Sequence, residues 1–162
     1  MGTYKKRLLL FLVEGLILFL IFWSVYTELH DTPNNYIQKN FALDLSQKHA
    51  NQLYTKNTQG WFGDGEIYSV WQYDDATVLE EMLPWQQGKG FQQQLYQQVV
   101  RWAQPDSYYL PYESEQEVYY YLQEFDADGC TDDKILLIYA PQVKLGDGLQ
   151  YKNLLFTSEW YS

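Results

Sequence analysis

Residues 118–160 read VYYYLQEFDADGCTDDKILLIYAPQVKLGDGLQYKNLLFTSEW, a stretch with three runs rich in aromatic and β-branched residues. These runs, each typical of a β-strand, are Val118–Phe125, Ile135–Tyr139 and Tyr151–Trp160. Acidic and glycine-rich segments, Asp126–Asp133 and Gly146–Gly148, supply the two turns between them. Short connections between consecutive strands predict an antiparallel meander. One or two helices against one face of this sheet would complete a small α+β domain.

The preceding residues predict further strands. Phe41, Leu43 and Leu45 alternate with smaller or polar residues, which is the period of a strand. Asn51–Thr58 gives a weaker strand prediction, and the glycines in Gly60–Gly65 mark a turn after it. Glu66–Tyr73 carries large side chains on both faces and therefore predicts a strand that is partly covered on both sides.

Two helices are predicted between the strands. Asp75 is placed to cap a helix that runs to Leu83 and stops at Pro84. From Phe91 to Ala103 the apolar residues recur at helical spacing, and glutamines fill the polar side. The glutamine-rich stretch is therefore interpreted as a solvated helix face.

The apolar run LLLFLVEGLILFLIFWSVY, Leu8–Tyr26, predicts a transmembrane helix. Its 19 residues would span about 28 Å at ~1.5 Å per residue, close to the ~30 Å hydrocarbon core of a bilayer. The basic leader, residues 1–7, precedes it, so the positive-inside rule places the N-terminus in the cytoplasm and the rest outside the cell. We expect a short juxtamembrane helix within residues 27–40 and the α+β domain over residues 41–162.

A cleaved signal peptide is the alternative interpretation of this run. Signal peptides have a shorter apolar region that ends in small residues at a cleavage site. WSVYTELHDTP, residues 23–33, contains no such triplet, and no cysteine follows that would support a lipoprotein anchor. The intramembrane Glu14 either reaches the inner headgroups or pairs with a partner helix, because carboxylates are costly in lipid.

Charge and cysteine content exclude several classes of function. The chain has 162 residues, 11 Lys+Arg and 21 Asp+Glu, and a net charge of −10. Such acidity argues against nucleic-acid binding, which depends on clustered basic residues. A single cysteine, Cys130, excludes an intrachain disulfide framework and a cysteine-based zinc site. No cofactor is indicated, and the oligomeric state is not predicted.

The segment Asn57–Glu66, which has three glycines in the six positions Gly60–Gly65, is the most unusual motif of the chain. Trp61, Phe62, Asp64 and Glu66 are its candidate binding residues, since a glycine-rich backbone allows close approach of a ligand. A hairpin turn in which Asp64 satisfies backbone amides is the alternative interpretation. No phosphate loop is indicated, because Gly-Lys-Ser/Thr is missing and a strand follows.

The stretch TQGWFGDGEIYSVWQY, Thr58–Tyr73, resembles the T-x-G-G-F-x-G-D-G segment of a family of small uncharacterised membrane-anchored proteins of Gram-positive bacteria. Tyr109-Leu110-Pro111 and the run Tyr119–Tyr121 are similar to that family's proline and aromatic strand. Gln59-Gly60-Trp61 departs from the family's His-Gly-Gly-like run. The resemblance implies a fold and a bacterial surface setting, and no activity.

Asp126, Asp128, Asp132 and Asp133 form a weak calcium candidate, because calcium prefers cages of oxygen ligands. Their spacing is not that of an EF-hand loop, and a solvated hairpin tip is the preferred interpretation.

Catalysis has little support in the sequence, and no catalytic residue is assigned. His30 and His49 lie near no plausible nucleophile and have no metal-ligand spacing. Acidic pairs such as Glu80 and Glu81 are typical of a charged helix face.

Aromatic residues exceed what a core of this size is expected to bury, which leaves open either a contact surface or an aromatic-rich core. They include Tyr108, Tyr109, Tyr112, Tyr119, Tyr120, Tyr121, Trp61, Trp71, Trp85 and Trp102. Because consecutive strand residues face opposite ways, Tyr119 and Tyr121 share one face, and both are candidate partner-binding residues.

The leading hypothesis is therefore a single-pass protein of the cell membrane whose acidic, aromatic-rich outer domain binds another envelope protein without catalysis. The alternative is a membrane-tethered hydrolase of cell-wall polymers that uses acidic residues near Asp64, such as Glu66. A third possibility is an accessory subunit recruited in the bilayer through Glu14.

Overall fold

The computed structural model describes residues 13–23, 37–38, 41–43, 45, 50–60, 63–112, 116–125 and 132–162. Six strands form its sheet: β1 (Ala50–Asn57), β2 (Gly65–Tyr73), β3 (Gln86–Lys89), β4 (Glu117–Phe125), β5 (Asp133–Lys144) and β6 (Gln150–Tyr161). Two α-helices, α1 (Ala76–Met82) and α2 (Gln94–Ala103), and one 3-10 turn, Ser107–Tyr109, lie between them. The domain is thus α+β, as the sequence predicts.

The sheet is antiparallel throughout, with strand order β1-β2-β6-β5-β4-β3. Strands β4, β5 and β6 are the predicted meander, and the hairpin β1–β2 joins it through β6. The outer strand β3 was not predicted, because its sequence QQGK contains no apolar alternation.

Both faces of the sheet are covered, whereas the sequence predicted helices on one face only. The first face packs on α2 through Tyr96, Val99 and Ala103. The second face packs on α1 through Leu79 and on Ile37, Phe41 and Leu45. The central strands therefore bury both sets of alternating side chains, which explains the nearly continuous apolar run ILLIY of β5.

The predicted strand at Phe41, Leu43 and Leu45 is wrong for these residues. Phe41 is helical, whereas Leu43 and Leu45 have no regular structure. Ala42 between them adopts a left-handed backbone with φ of 55°. Ile37, Phe41 and Leu45 are buried on the sheet. Ile37 and Phe41 are helical and four residues apart, which is the spacing of one helix face, whereas Leu45 follows the left-handed residue Ala42.

The N-terminal residues 13–23 are helical, and their side chains are exposed. Among the residues that the structure describes, no helix is long and apolar enough to cross a membrane. Residues 8–12 and 24–26 of the predicted transmembrane helix lie outside that part of the chain.

Candidate binding site

The candidate site lies at one edge of the second face, where α1 meets β4 and β5. Asp75 caps α1 by accepting hydrogen bonds from the backbone N–H and the hydroxyl of Thr77, at 2.9 and 2.7 Å. After Pro84 ends the helix, the indole Nε1 of Trp85 donates to the carbonyl oxygen of Leu79 at 2.6 Å. This bond ties the indole to the helix that precedes it and fixes its orientation.

Two tyrosines on neighbouring strands extend the aromatic surface. Tyr119 of β4 and Tyr139 of β5 are direct partners in the sheet, so their side chains lie side by side on the same face. Their rings stack with centroids 5.7 Å apart and planes inclined by 24°. The ring of Trp85 lies 6.0 Å from that of Tyr139, tilted by 48°. Three aromatic rings therefore form a connected group.

These rings line a cavity of about 300 Å³ together with Glu80 and Leu83. Tyr139 is buried, Tyr119 and Trp85 are half-buried, and Glu80 is exposed. The volume is at the lower end of the range for small-molecule sites. The described part of the lining thus combines aromatic surface with one carboxyl group.

The surroundings of Tyr139 disfavour the ionised form of its phenol. Burial has the largest effect in raising the pKa of this phenol, and coulombic interactions with Glu80 and then with Tyr119 raise this pKa further. A phenol with a raised pKa remains protonated at neutral pH and retains its O–H donor. Of the described residues that line the cavity, Glu80 is the one with a carboxyl group.

The glycine-rich segment, which the sequence predicts as a binding loop, forms a hairpin turn that hydrogen bonds hold together, as far as the structure describes its residues. Gly60 N–H donates to the carbonyl oxygen of Asp64 at 2.8 Å, and the Thr58 hydroxyl donates to the Glu66 carboxylate at 2.8 Å. Gly65 has φ of 143°, and an added Cβ would lie 2.7 Å from the Cα of Gln59. The glycines thus serve the turn itself.

Asp64 is exposed and Glu66 is half-buried, whereas the candidate residues Trp61 and Phe62 lie outside the described residues. The structure does not bring the first two to the aromatic cavity. The strand pairing shows how far Glu66 lies from the cavity. Tyr139 of β5 pairs with Leu155 of β6, and Leu155 pairs with Trp71 of β2, so Trp71 is the β2 residue level with the cavity. Glu66 precedes Trp71 by five residues. At ~3.3 Å per residue, Glu66 is displaced by roughly 17 Å along the strand.

Tyr121 lies on the same face as Tyr119, as predicted, and is half-buried against the core. Its hydroxyl donates to the side-chain oxygen of Gln123 at 3.3 Å. Of the predicted binding residues that the structure describes, Tyr119 alone lines the cavity.

The calcium candidate is only partly described, since Asp126 and Asp128 lie outside the described residues. Asp132 is exposed, and the carboxylate of Asp133 accepts the backbone N–H of Ser162 at 3.2 Å. No group of metal-ligating side chains occurs among the residues that the structure describes. His30, His49 and Cys130 lie outside those residues as well.

Glu159 is a fully buried carboxyl in the central strand β6, a position that the sequence did not reveal. Burial raises its pKa to about 8, although hydrogen bonds from Tyr161 and Thr157 act in the opposite direction. The Tyr161 hydroxyl donates to Oε2 at 2.7 Å, and the Thr157 hydroxyl lies 3.4 Å from Oε1. Glu159 belongs to the core and does not line the aromatic cavity.

From the sequence, Trp85 is one of the aromatic residues that exceed what the core is expected to bury, and Glu80 is part of a charged helix face. The missing information was the register of β4 against β5, which places Tyr119 beside Tyr139. The predicted turn between these strands did not fix that register. These aromatic residues differ in burial. Trp71 is buried, whereas Trp102, Tyr108 and Tyr112 are more than half exposed.

Comparison with known protein families, curated proteins and solved structures found no match to this chain.

Proposed function

We propose that this protein is a single-pass membrane protein whose acidic α+β domain lies outside the cell and serves as a non-enzymatic binding module. The observation that carries the proposal is the apolar, solvent-facing surface of the helical residues 13–23. The module would bind another component of the cell envelope through the cavity between α1, β4 and β5.

The helical residues 13–23 expose an unusual amount of apolar surface. Nine of their side chains are large, apolar and between 47 and 67 % exposed: Val13, Leu16, Ile17, Leu18, Phe19, Leu20, Ile21, Phe22 and Trp23. Moving such side chains from water into an apolar phase is worth on the order of 10 kcal/mol in total. A bilayer supplies that phase, and an apolar run of this kind supports a membrane anchor.

The distribution of charge supports the orientation of the anchor. Lys5, Lys6 and Arg7 precede the apolar run, which favours a cytoplasmic N-terminus. Residues 28–162 contain 8 Lys+Arg and 20 Asp+Glu, and this net charge of −12 repels anionic headgroups. A domain of this charge is expected to stand away from the membrane surface and to favour cationic partners.

The anchor is tested by fractionating cells that produce the full chain. We expect the protein to remain in the membrane fraction after alkaline carbonate extraction and to be released by detergent. Replacing Leu18 and Phe19 with arginine places two charges in the apolar run and should release much of the protein, because each charge costs roughly 3 kcal/mol in a bilayer. Carbonate release of the unaltered chain would contradict the proposal.

A binding role and a hydrolytic role are separated by the double variant Asp64→Asn, Glu66→Gln. Both side chains lie at the β1–β2 hairpin, away from the aromatic cavity, so a binding module should stay folded and should capture its envelope partner as before. A hydrolase that uses these carboxylates would lose turnover of cell-wall fragments. The measurement is partner capture by crosslinking in native membranes, alongside release of soluble fragments from purified wall.

Turnover by the unaltered protein, together with its loss in this variant, would contradict the non-enzymatic role. Glu124→Gln is the control, because it removes an exposed carboxylate outside the hairpin; it breaks the 3.4 Å ion pair with Lys134, and such a surface pair contributes little to stability.

A further inference from the structure

We propose that the cavity between α1, β4 and β5 binds an organic cation of the quaternary ammonium type. Trp85, Tyr119 and Tyr139 would supply the aromatic walls, and Glu80 would supply the counter-charge. This inference rests on the proposed function as a binding module and names the chemical class of its ligand.

The rings are arranged before any ligand arrives. Trp85 is tied to the α1 backbone by its 2.6 Å hydrogen bond, and Tyr139 is held in the core with its ring against Tyr119. The face of such a ring is the negative side of its quadrupole, and it attracts a cation that lies within about 6 Å of the ring centroid. Because the side chains need little reordering when a ligand binds, little free energy is lost to their immobilisation, and most of this attraction would contribute to the affinity.

The charge of the cavity selects for a cation over a neutral or anionic ligand. Among the described residues that line the cavity, Glu80 is acidic and none is basic. The excess of acidic residues over residues 28–162 strengthens the same preference at long range.

Aromatic walls favour a quaternary ammonium group over a primary one. A primary ammonium is strongly hydrated and needs several hydrogen-bond acceptors when it leaves water. The lining offers one carboxylate and two phenol oxygens, together with apolar surface from Leu83 and three rings. A methylated cation has no N–H groups to satisfy, and it replaces water contacts with contacts to the rings.

The test uses the full chain in nanodiscs of phosphatidylglycerol, which contain no choline. Isothermal titration calorimetry would compare choline with 3,3-dimethylbutan-1-ol, the neutral molecule of the same shape, and with N-acetylglucosamine as a sugar. We expect choline to bind at least about tenfold more tightly than its neutral counterpart. Equal affinity for the two would overturn the proposal, and so would tighter binding of the sugar.

Variants locate the site. Trp85→Leu should weaken choline binding by about tenfold, and Tyr119→Leu should weaken it more than Tyr119→Phe does. Glu80→Gln should weaken it several-fold, and less so at high salt, because the lost attraction is electrostatic. Glu81→Gln is the matched control, since Glu81 is an exposed neighbour on α1 that does not line the cavity.

Because Glu80 is exposed, Glu80→Gln is expected to fold. Choline binding by this variant therefore tests the site even if Trp85→Leu unfolds. Choline binding that is unchanged in a folded Glu80→Gln protein would contradict the assigned counter-charge. Displacement of choline by phosphatidylcholine vesicles would identify a lipid headgroup as the source of the cation, whereas no displacement would indicate a free or polymer-borne cation.

These results are distinguishable from a failure of the proposed function. A protein that stays in the membrane and captures an envelope partner, but binds no choline, would refute the ligand class alone. A protein that binds choline but is released by carbonate would refute the anchor alone.

Discussion

At the scale of a single residue, Glu159 introduces a titratable group into the centre of the sheet. Its neighbours across the strands are Ile67 on β2 and Ile135 on β5, so no charged partner flanks it there. Among the described residues it is the one acidic side chain that is fully buried. An unpaired carboxylate in such a place is costly, and protonation relieves that cost.

The raised pKa predicts how stability changes with pH. The folded chain holds this proton up to about pH 8, whereas the ordinary pKa of a glutamic acid is 4.5. The contribution of Glu159 to stability is therefore fully present below pH 4.5, falls as the pH rises, and is lost above about pH 8. We expect the free energy of unfolding to fall by a few kcal/mol across this window.

Glu159→Gln isolates the effect, because the amide has nearly the same shape and does not titrate. Denaturant unfolding from pH 5 to pH 9 should show a smaller decline for this variant than for the unaltered chain. Parallel curves for the two proteins would show that Glu159 does not carry the pH dependence.

Among the secondary-structure elements, the β1–β2 hairpin contains glycines that differ in their roles. Gly65→Ala should destabilise the domain by roughly 1–3 kcal/mol, because φ of 143° is strained for alanine and its Cβ would crowd Gln59 and Thr58. Gly60→Ala should be nearly neutral, since its Cβ would meet only the carbonyl oxygen of Asp64 at 3.8 Å. Thermal unfolding of the two variants gives the comparison.

This pair also tests the interpretation of the motif. If both variants were as stable as the unaltered chain, the glycines would not be needed for the turn, and a binding role for the loop would regain support.

Local patterns were sufficient to predict most of the elements. Aromatic and β-branched content predicted β2 and the meander, and the Asp75 cap and Pro84 predicted the bounds of α1 to within a residue or two. The strand at Phe41, Leu43 and Leu45 was predicted wrongly, because alternation over so few residues also arises where a helix ends. The covering of both faces was missed, because which face a helix packs on depends on contacts between distant segments.

The candidate site was predicted only through Tyr119. Its other members come from α1, from the residue after Pro84 and from β5, so only the folded sheet brings them together. The aromatic content indicated more rings than the core was expected to bury, but it did not indicate which rings would be in contact.

In the molecule as a whole, an apolar N-terminal helix precedes an acidic domain in which the sheet lies between two layers. Residues 13–23 expose apolar side chains, whereas the domain buries its apolar residues on both faces of the sheet. We infer that the two parts are suited to different solvents, lipid for the first and water for the second.

The most direct test of this arrangement is labelling of intact cells with a membrane-impermeant maleimide. Two single-cysteine reporters are needed in a Cys130→Ser background: Ser162→Cys, which is exposed at the end of β6, and Thr3→Cys in the basic leader. The account predicts that the first reporter is labelled in intact cells and that the second is labelled only after lysis. Labelling of Thr3→Cys but not Ser162→Cys in intact cells, or recovery of the domain without its N-terminal residues in the medium, would contradict it.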